Sequence, residues 1–128
     1  MKKILYSALI YSAFSITSVY AQADFKFDKT EFDFGSIVEK DDTLWVDFKF
    51  KNSGAEPLVI QDIKTACECT LAKWDKKPVM PGKEGIIKAG YKYKGKSGSY
   101  NKALTIMANT LPAVTQLTIK GVILDNKK

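Results

Sequence analysis

The chain has 128 residues, is 45% hydrophobic and 12% aromatic, and carries a formal charge of +6. Every basic residue is Lys; there is no Arg and no His. The commonest general base and the commonest anion clamp are therefore missing, which argues against an enzyme. Without Arg there are no bidentate base and phosphate contacts either, which argues against a nucleic-acid binder.

Lys2 and Lys3 open the chain. An uncharged stretch from Ile4 to Tyr20 follows, and small residues stand at Ala21 and Ala23. A basic start, a short apolar region and a small-x-small site read as a secretory signal peptide over residues 1–23. Cleavage after Ala21 and cleavage after Ala23 fit equally well. The stretch is broken by Ser7, Ser12, Ser15, Thr17 and Ser18, and it falls short of the roughly 20 strongly apolar residues that a spanning helix needs. No stable membrane insertion is expected after cleavage, and no Cys at the site suggests a lipid anchor. The expected location is the periplasm or outside the cell. Export takes the chain away from most nucleic acid. Losing Lys2 and Lys3 lowers the charge by two, leaving the modest excess of a soluble surface. The rest is one domain, residues 24–124, with a polar, frayed tail at 125–128.

In chain order the mature part reads as short strands between turn signals. Phe25 and Phe27 alternate around Lys26, and Phe32 and Phe34 around Asp33, before Gly35. Leu44, Val46, Phe48 and Phe50 fall on one face, the clearest period-two run. Asn52-Ser53-Gly54 reads as the turn that ends it. The next strand is expected over Leu58–Ile63, entered through Pro57, and another near Glu68–Trp74. Pro78 and Pro81-Gly82 mark a connection. Ile87, Ala89, Tyr91 and Tyr93 form a further one-faced series. After a turn at Gly95–Gly98, Tyr100, Leu104, Ile106 and Ala108 share a face. A turn at Asn109–Pro112 precedes Leu117, Ile119, Gly121 and Ile123. No mature segment has a sustained helical period. Seven to nine short strands with one polar face predict an all-β, antiparallel, two-sheet sandwich.

Cys67-Glu68-Cys69 is the local feature that stands apart, and three readings are open. The first is a disulfide. In a flat strand residues two apart are about 6.6 Å apart at Cα, whereas a disulfide wants Cβ atoms about 3.8 Å apart, so a bulge or tight turn is required. Glu68 makes that turn harder than Gly, since a positive φ costs roughly 1–2 kcal/mol with a Cβ. The second is a Cu(I) or thiol-redox site, with thioether help from Met80 or Met107. Zinc lacks the four ligands it needs. The third is an inert buried pair, against which an oxidising compartment argues.

The Phe pairs follow strand periodicity and belong to a core. Trp45 and Tyr100 are candidates for an exposed binding aromatic. Lys92, Lys94 and Lys96 share strand parity and suit a solvated edge. Asp41 and Asp42 read as loop residues without calcium-binding spacing.

Phe34-Gly35 with Ile37, Phe48 and Phe50 leading to Asn52 and Gly54, and Pro57-Leu58 with Ile60 together form an ordered set. Cys67-x-Cys69-Thr70, Trp74, Pro81-Gly82 before Gly85, Gly98 before Tyr100, Asn109, and Leu117-x-Ile119-x-Gly121 continue it. This order resembles the uncharacterised bacterial family known as domain of unknown function 1573, over roughly residues 31–123. The resemblance implies an immunoglobulin-like sandwich, related to the Hydin and major-sperm-protein type, in an exported bacterial protein. It implies no activity. The family pattern usually has Gly between the two Cys and Ser before them; here Glu68 and Ala66 stand there. The expected function is a non-enzymatic binding or assembly module of the cell envelope, without cofactor, whose partner is an envelope protein or glycan. The alternative is a copper or thiol-redox carrier through Cys67 and Cys69.

Overall fold

The structure is a computed structural model, and it describes residues 22–38 and 43–125. The expected signal peptide, apart from Gln22 and Ala23, lies outside the described residues, as do Asp41, Asp42 and the tail beyond Asp125. No helix among the described residues is long and apolar enough to cross a membrane.

Eight strands follow one another: β1 (Phe25–Phe27), β2 (Glu31–Val38), β3 (Thr43–Asn52), β4 (Ile60–Thr65), β5 (Thr70–Trp74), β6 (Glu84–Lys92), β7 (Gly98–Ala108) and β8 (Val114–Leu124). They form two four-stranded sheets. Sheet I has the order β1-β3-β6-β5 and sheet II the order β2-β8-β7-β4. The expected all-β sandwich is what forms.

Alternation puts the apolar series between the sheets. Phe48, Phe50, Ile87 and Ala89 from sheet I meet Leu104, Ile106, Leu117 and Ile119 from sheet II, all of them buried. Asn52 is a polar member of this interior. Its side-chain oxygen accepts from Gly54 N–H (3.0 Å) and Asp24 N–H (3.3 Å), and its amide donates to the carbonyls of Glu56 (2.7 Å) and Val79 (2.9 Å). One side chain thus fastens the N-terminal segment, the turn after β3 and the loop before β6, which satisfies its burial.

Two boundaries and one pairing differ from the sequence reading. Leu58 pairs only in an isolated bridge with Val79, and β4 starts at Ile60 because Asn109 holds the backbone of Pro57 and Val59 through its side chain. β5 starts at Thr70 rather than Glu68, because residues 66–69 are spent on turning from sheet II to sheet I. β2 runs parallel to β8, whereas every other pair is antiparallel. Its register shifts between Asp33 and Ser36, where Gly35 takes φ +70° and Asp33 accepts from the Gly35 N–H at 2.7 Å.

Candidate functional site

Cys67 and Cys69 lie in the corner between β4 and β5, where they are joined by a disulfide. Their Cα atoms are 5.1 Å apart, closer than the roughly 6.6 Å of a flat strand, because the chain has left the strand and turned. Thr70 N–H closes the turn by donating to the Cys67 carbonyl (3.0 Å). The Thr65 hydroxyl donates to the same carbonyl (3.3 Å). No described non-glycine residue has a positive φ. Glu68 therefore completes the corner without the left-handed conformation expected of it. Lys92 N–H donates to the Cys69 carbonyl (2.7 Å), tying the corner to the end of β6. Cys69 is buried and Cys67 half-buried.

A disulfide offers no thiolate to a metal. Met80 and Met107 are not brought to it. Met80 precedes β6, whereas the Cys69 contact is at the far end of that strand; at about 3.3 Å per residue the separation is on the order of 25 Å. Met107 faces outward from sheet II, opposite Asp62 and Val114. Among the described residues no three His, Cys, Asp or Glu side chains gather as a metal site.

The two uncommitted aromatics go opposite ways. Tyr100 points inward, is 7% exposed, and stacks on Tyr91 at 4.1 Å between ring centroids. Its hydroxyl is buried without a hydrogen-bond partner. Burial first, then the neighbouring Tyr91 and Asp33, push its pKa up to about 12. Trp45 points outward, is 41% exposed, and has the Lys73 ammonium over its ring at 4.8 Å.

The outward ionisable residues of sheet I are mostly basic. Lys26, Lys49, Lys51, Lys73, Lys88 and Lys92 face out on this sheet, against Asp47 and Glu84. On sheet II the outward ionisable residues are Glu31, Asp33, Asp62, Lys64 and Lys120. Lys120 pairs there with Glu31, whose carboxylate raises the Lys120 pKa. Of the expected Lys92-Lys94-Lys96 edge, only Lys92 is on a strand; Lys94 and Lys96 belong to the turn after β6. The sequence reading missed Lys73 and Gly90. Gly in the middle of a strand was the available signal, since it often marks a close approach. A shallow hollow of about 570 Å³ lies at the β2 bulge, lined by Asp33, Ser36, Ser99, Tyr100, Asn101 and Lys120 among others.

Sheet edges are the other feature that invites a partner. β1 pairs only with Phe50–Asn52. Upstream of it, β3 from Thr43 to Phe48 has no strand neighbour on that side among the described residues.

A family described as protein of unknown function DUF1573 matches residues 25–123. The chain belongs to the DUF1573 family. Its fold is immunoglobulin-like, of the PapD-like type. A protein of unknown function from Porphyromonas gingivalis W83 is similar, with a TM-score of 0.68 and 19% identity over 80% of this chain. This chain spans 48% of that one, about half its length. The PapD-like domain 7 of human CEP192 has a TM-score of 0.66 at 7% identity, covering 98% of this DUF1573 chain and 100% of the domain. The secreted serine protease VesC from Vibrio cholerae has a TM-score of 0.57 at 12% identity, over 85% of this chain but 24% of its own. At these identities the likeness is one of fold. No curated protein matches the chain in sequence.

Proposed function

We propose that this DUF1573 protein is an exported, non-enzymatic binding or assembly module of the bacterial cell envelope. The observation that carries the reading is the open edge of β3. Leu44, Val46 and Phe48 turn inward from it, and on that side it has no strand neighbour among the described residues, which leaves room for a further strand. The residue inventory supports the reading from the other direction, with no His or Arg in the chain. The test is capture from envelope extract with the purified protein, repeated with Asp47→Pro, which removes a donor on the edge side, the side to which Lys49 and Ser53 also turn their backbone groups. A partner retained by the wild type and lost by the variant supports strand addition. No partner under several salt conditions contradicts the module.

Export remains part of this proposal, and the fold bears on where the leader ends. Ala23 is buried at 2% exposure and bridges to Thr110, while the Gln22 carbonyl accepts from Ala55 N–H. Cleavage after Ala21 keeps these contacts and cleavage after Ala23 removes them. The intact mass of the processed protein should therefore begin at Gln22.

A second reading, a thiol-redox carrier, is favoured by the partial exposure of Cys67 in a disulfide that closes so short a loop. Intact mass with and without reductant, with metal analysis of the reduced protein, tests it. If Cys67→Ser with Cys69→Ser changes neither metal content nor phenotype, the carrier reading falls.

A further inference from the structure

Trp45 is where sheet I departs from a plain solvated face. Its cross-strand partner is Gly90, which in turn faces Leu71 on β5. A Cβ on Gly90 would stand 2.7 Å from Cζ3, 2.8 Å from Cε3 and 3.0 Å from Cη2 of the indole. Three consecutive ring atoms at nearly equal distance mean that the ring lies face-down on the strand, not edge-on. Glycine clears the space for it. Lys73 stands at the ring. Lys88 and Lys92 occupy the outward positions of β6 on either side of Gly90. Asp47, opposite Lys88, offsets one of these charges. A core aromatic hides both faces. This one hides one face against Gly90, has the Lys73 ammonium over the ring, and lies beside strand positions held by Lys88 and Lys92.

We propose that this platform binds an anionic sugar chain, an inference that rests on the binding-module reading and names the face and ligand class it uses. The flat side of a pyranose presents C–H groups with partial positive charge, and the indole face is negative. The sugar ring therefore stacks on Trp45 and buries its apolar side there. Lys73, Lys88 and Lys92 are compact, mobile point charges that reach carboxylate or sulfate groups along the chain, and Lys73 exchanges its contact with the ring for one with the ligand. A neutral glycan would leave those charges unused. Strand addition uses the β3 backbone in the plane of the sheet, so it makes no use of a ring lying on the outer face.

The test uses the full chain, expressed with its N-terminal segment and purified in its processed form. It is titrated with polygalacturonate and with dextran sulfate at low ionic strength, following Trp fluorescence and heat. Saturable binding of one or both is expected, weakened by added salt, with none to neutral dextran. Trp45→Ala should lower affinity roughly tenfold or more, the loss typical of an aromatic anchor. Gly90→Ala keeps every charge and the indole but lifts the ring, so it should also weaken binding. Both variants should melt close to the wild type, since the side chain they disturb is exposed. Failure of both polyanionic sugars overturns the proposal. So does equal binding of polyglutamate or anionic phospholipid vesicles, or unchanged binding by Trp45→Ala, because the face is then merely cationic. The two readings fail separately: an envelope partner captured by wild type and Trp45→Ala alike leaves the module standing without this site.

Discussion

Two glycines in the middle of strands, one in each sheet, make room for an aromatic ring, and they do it on opposite sides of the fold. Gly121 of β8 clears space inside: a Cβ there would meet the Tyr100 hydroxyl at 2.7 Å and the Gly35 carbonyl at 2.9 Å. Gly90 of β6 clears space outside, for Trp45. A ring accommodated inside is packing, and its burial is its reward. A ring accommodated outside gains little from folding alone, so its placement points to a use beyond folding. The charges sort the same way, with lysines crowding the outer face of sheet I and a near balance on sheet II. Both outer faces rest on one interior, and this asymmetry lies on the surface rather than in the core.

The comparison breaks first if the shared frame is not rigid. Asn52→Ala leaves the amide and carbonyl groups it now serves unsatisfied, and should cost about 3 kcal/mol in urea unfolding. A loss below about 1 kcal/mol would mean that water replaces the side chain and that the N-terminal segment is loosely held.

The glycine pair gives the sharper contrast. Gly121→Ala meets a buried ring and a backbone carbonyl, and should cost about 1–3 kcal/mol by overpacking. Gly90→Ala meets an exposed ring that can lift, and should cost less than about 1 kcal/mol. Equal losses in thermal unfolding would erase the distinction between a packing ring and a presenting one.

Next in size is the corner that joins the two sheets. Replacing both Cys67 and Cys69 by Ser should cost about 1–2 kcal/mol, because so short a loop constrains the unfolded chain only modestly. Measured under oxidising conditions, a loss above about 4 kcal/mol would mark the disulfide as the main lock between the sheets.

The smallest effect at neutral pH is expected from Tyr100→Phe. It removes a hydroxyl with no partner, so stability should change by no more than about 1 kcal/mol. Its signature is alkaline. Tyr100 is held protonated up to about 12 in the folded state, whereas an unfolded tyrosine ionises near about 10. The unfolded chain therefore releases its proton first, and stability present below about pH 10 is lost as pH rises through about 12. Tyr100→Phe should flatten this fall when urea midpoints at about pH 8 and about pH 11 are compared.

The sequence made much of this legible. Alternation at Phe48/Phe50, Ile87/Ala89 and Leu104/Ile106 is local, so the strands and their buried faces could be read directly. The same parity sorts Trp45 outward from the Leu44/Val46 series and Tyr100 inward with Leu104. What it could not give is partnership across distance. The parallel pairing of β2 with β8 joins residues near the two ends of the chain, and nothing in either segment encodes it. The platform needs Trp45, Gly90 and Lys73 in one register across three strands, although they stand far apart in sequence. The disulfide reading of Cys67 and Cys69 required a turn there, and a turn is what forms; the sequence places the start of β5 two residues early, because this turn between sheets carries no glycine to mark it.

The central claim is that the outer face of sheet I is the one that meets a ligand. The direct measurement is a nuclear magnetic resonance titration of the isotope-labelled protein with polygalacturonate and dextran sulfate, following backbone amides and the indole N–H groups. The account predicts shifts confined to the outer face of sheet I, at the Trp45 indole, Leu71, Lys73, Lys88, Gly90 and Lys92, with Asn101, Thr105 and Gln116 on sheet II unmoved. Shifts on β7 and β8 instead, or small changes spread evenly over the lysines of both sheets, would contradict it.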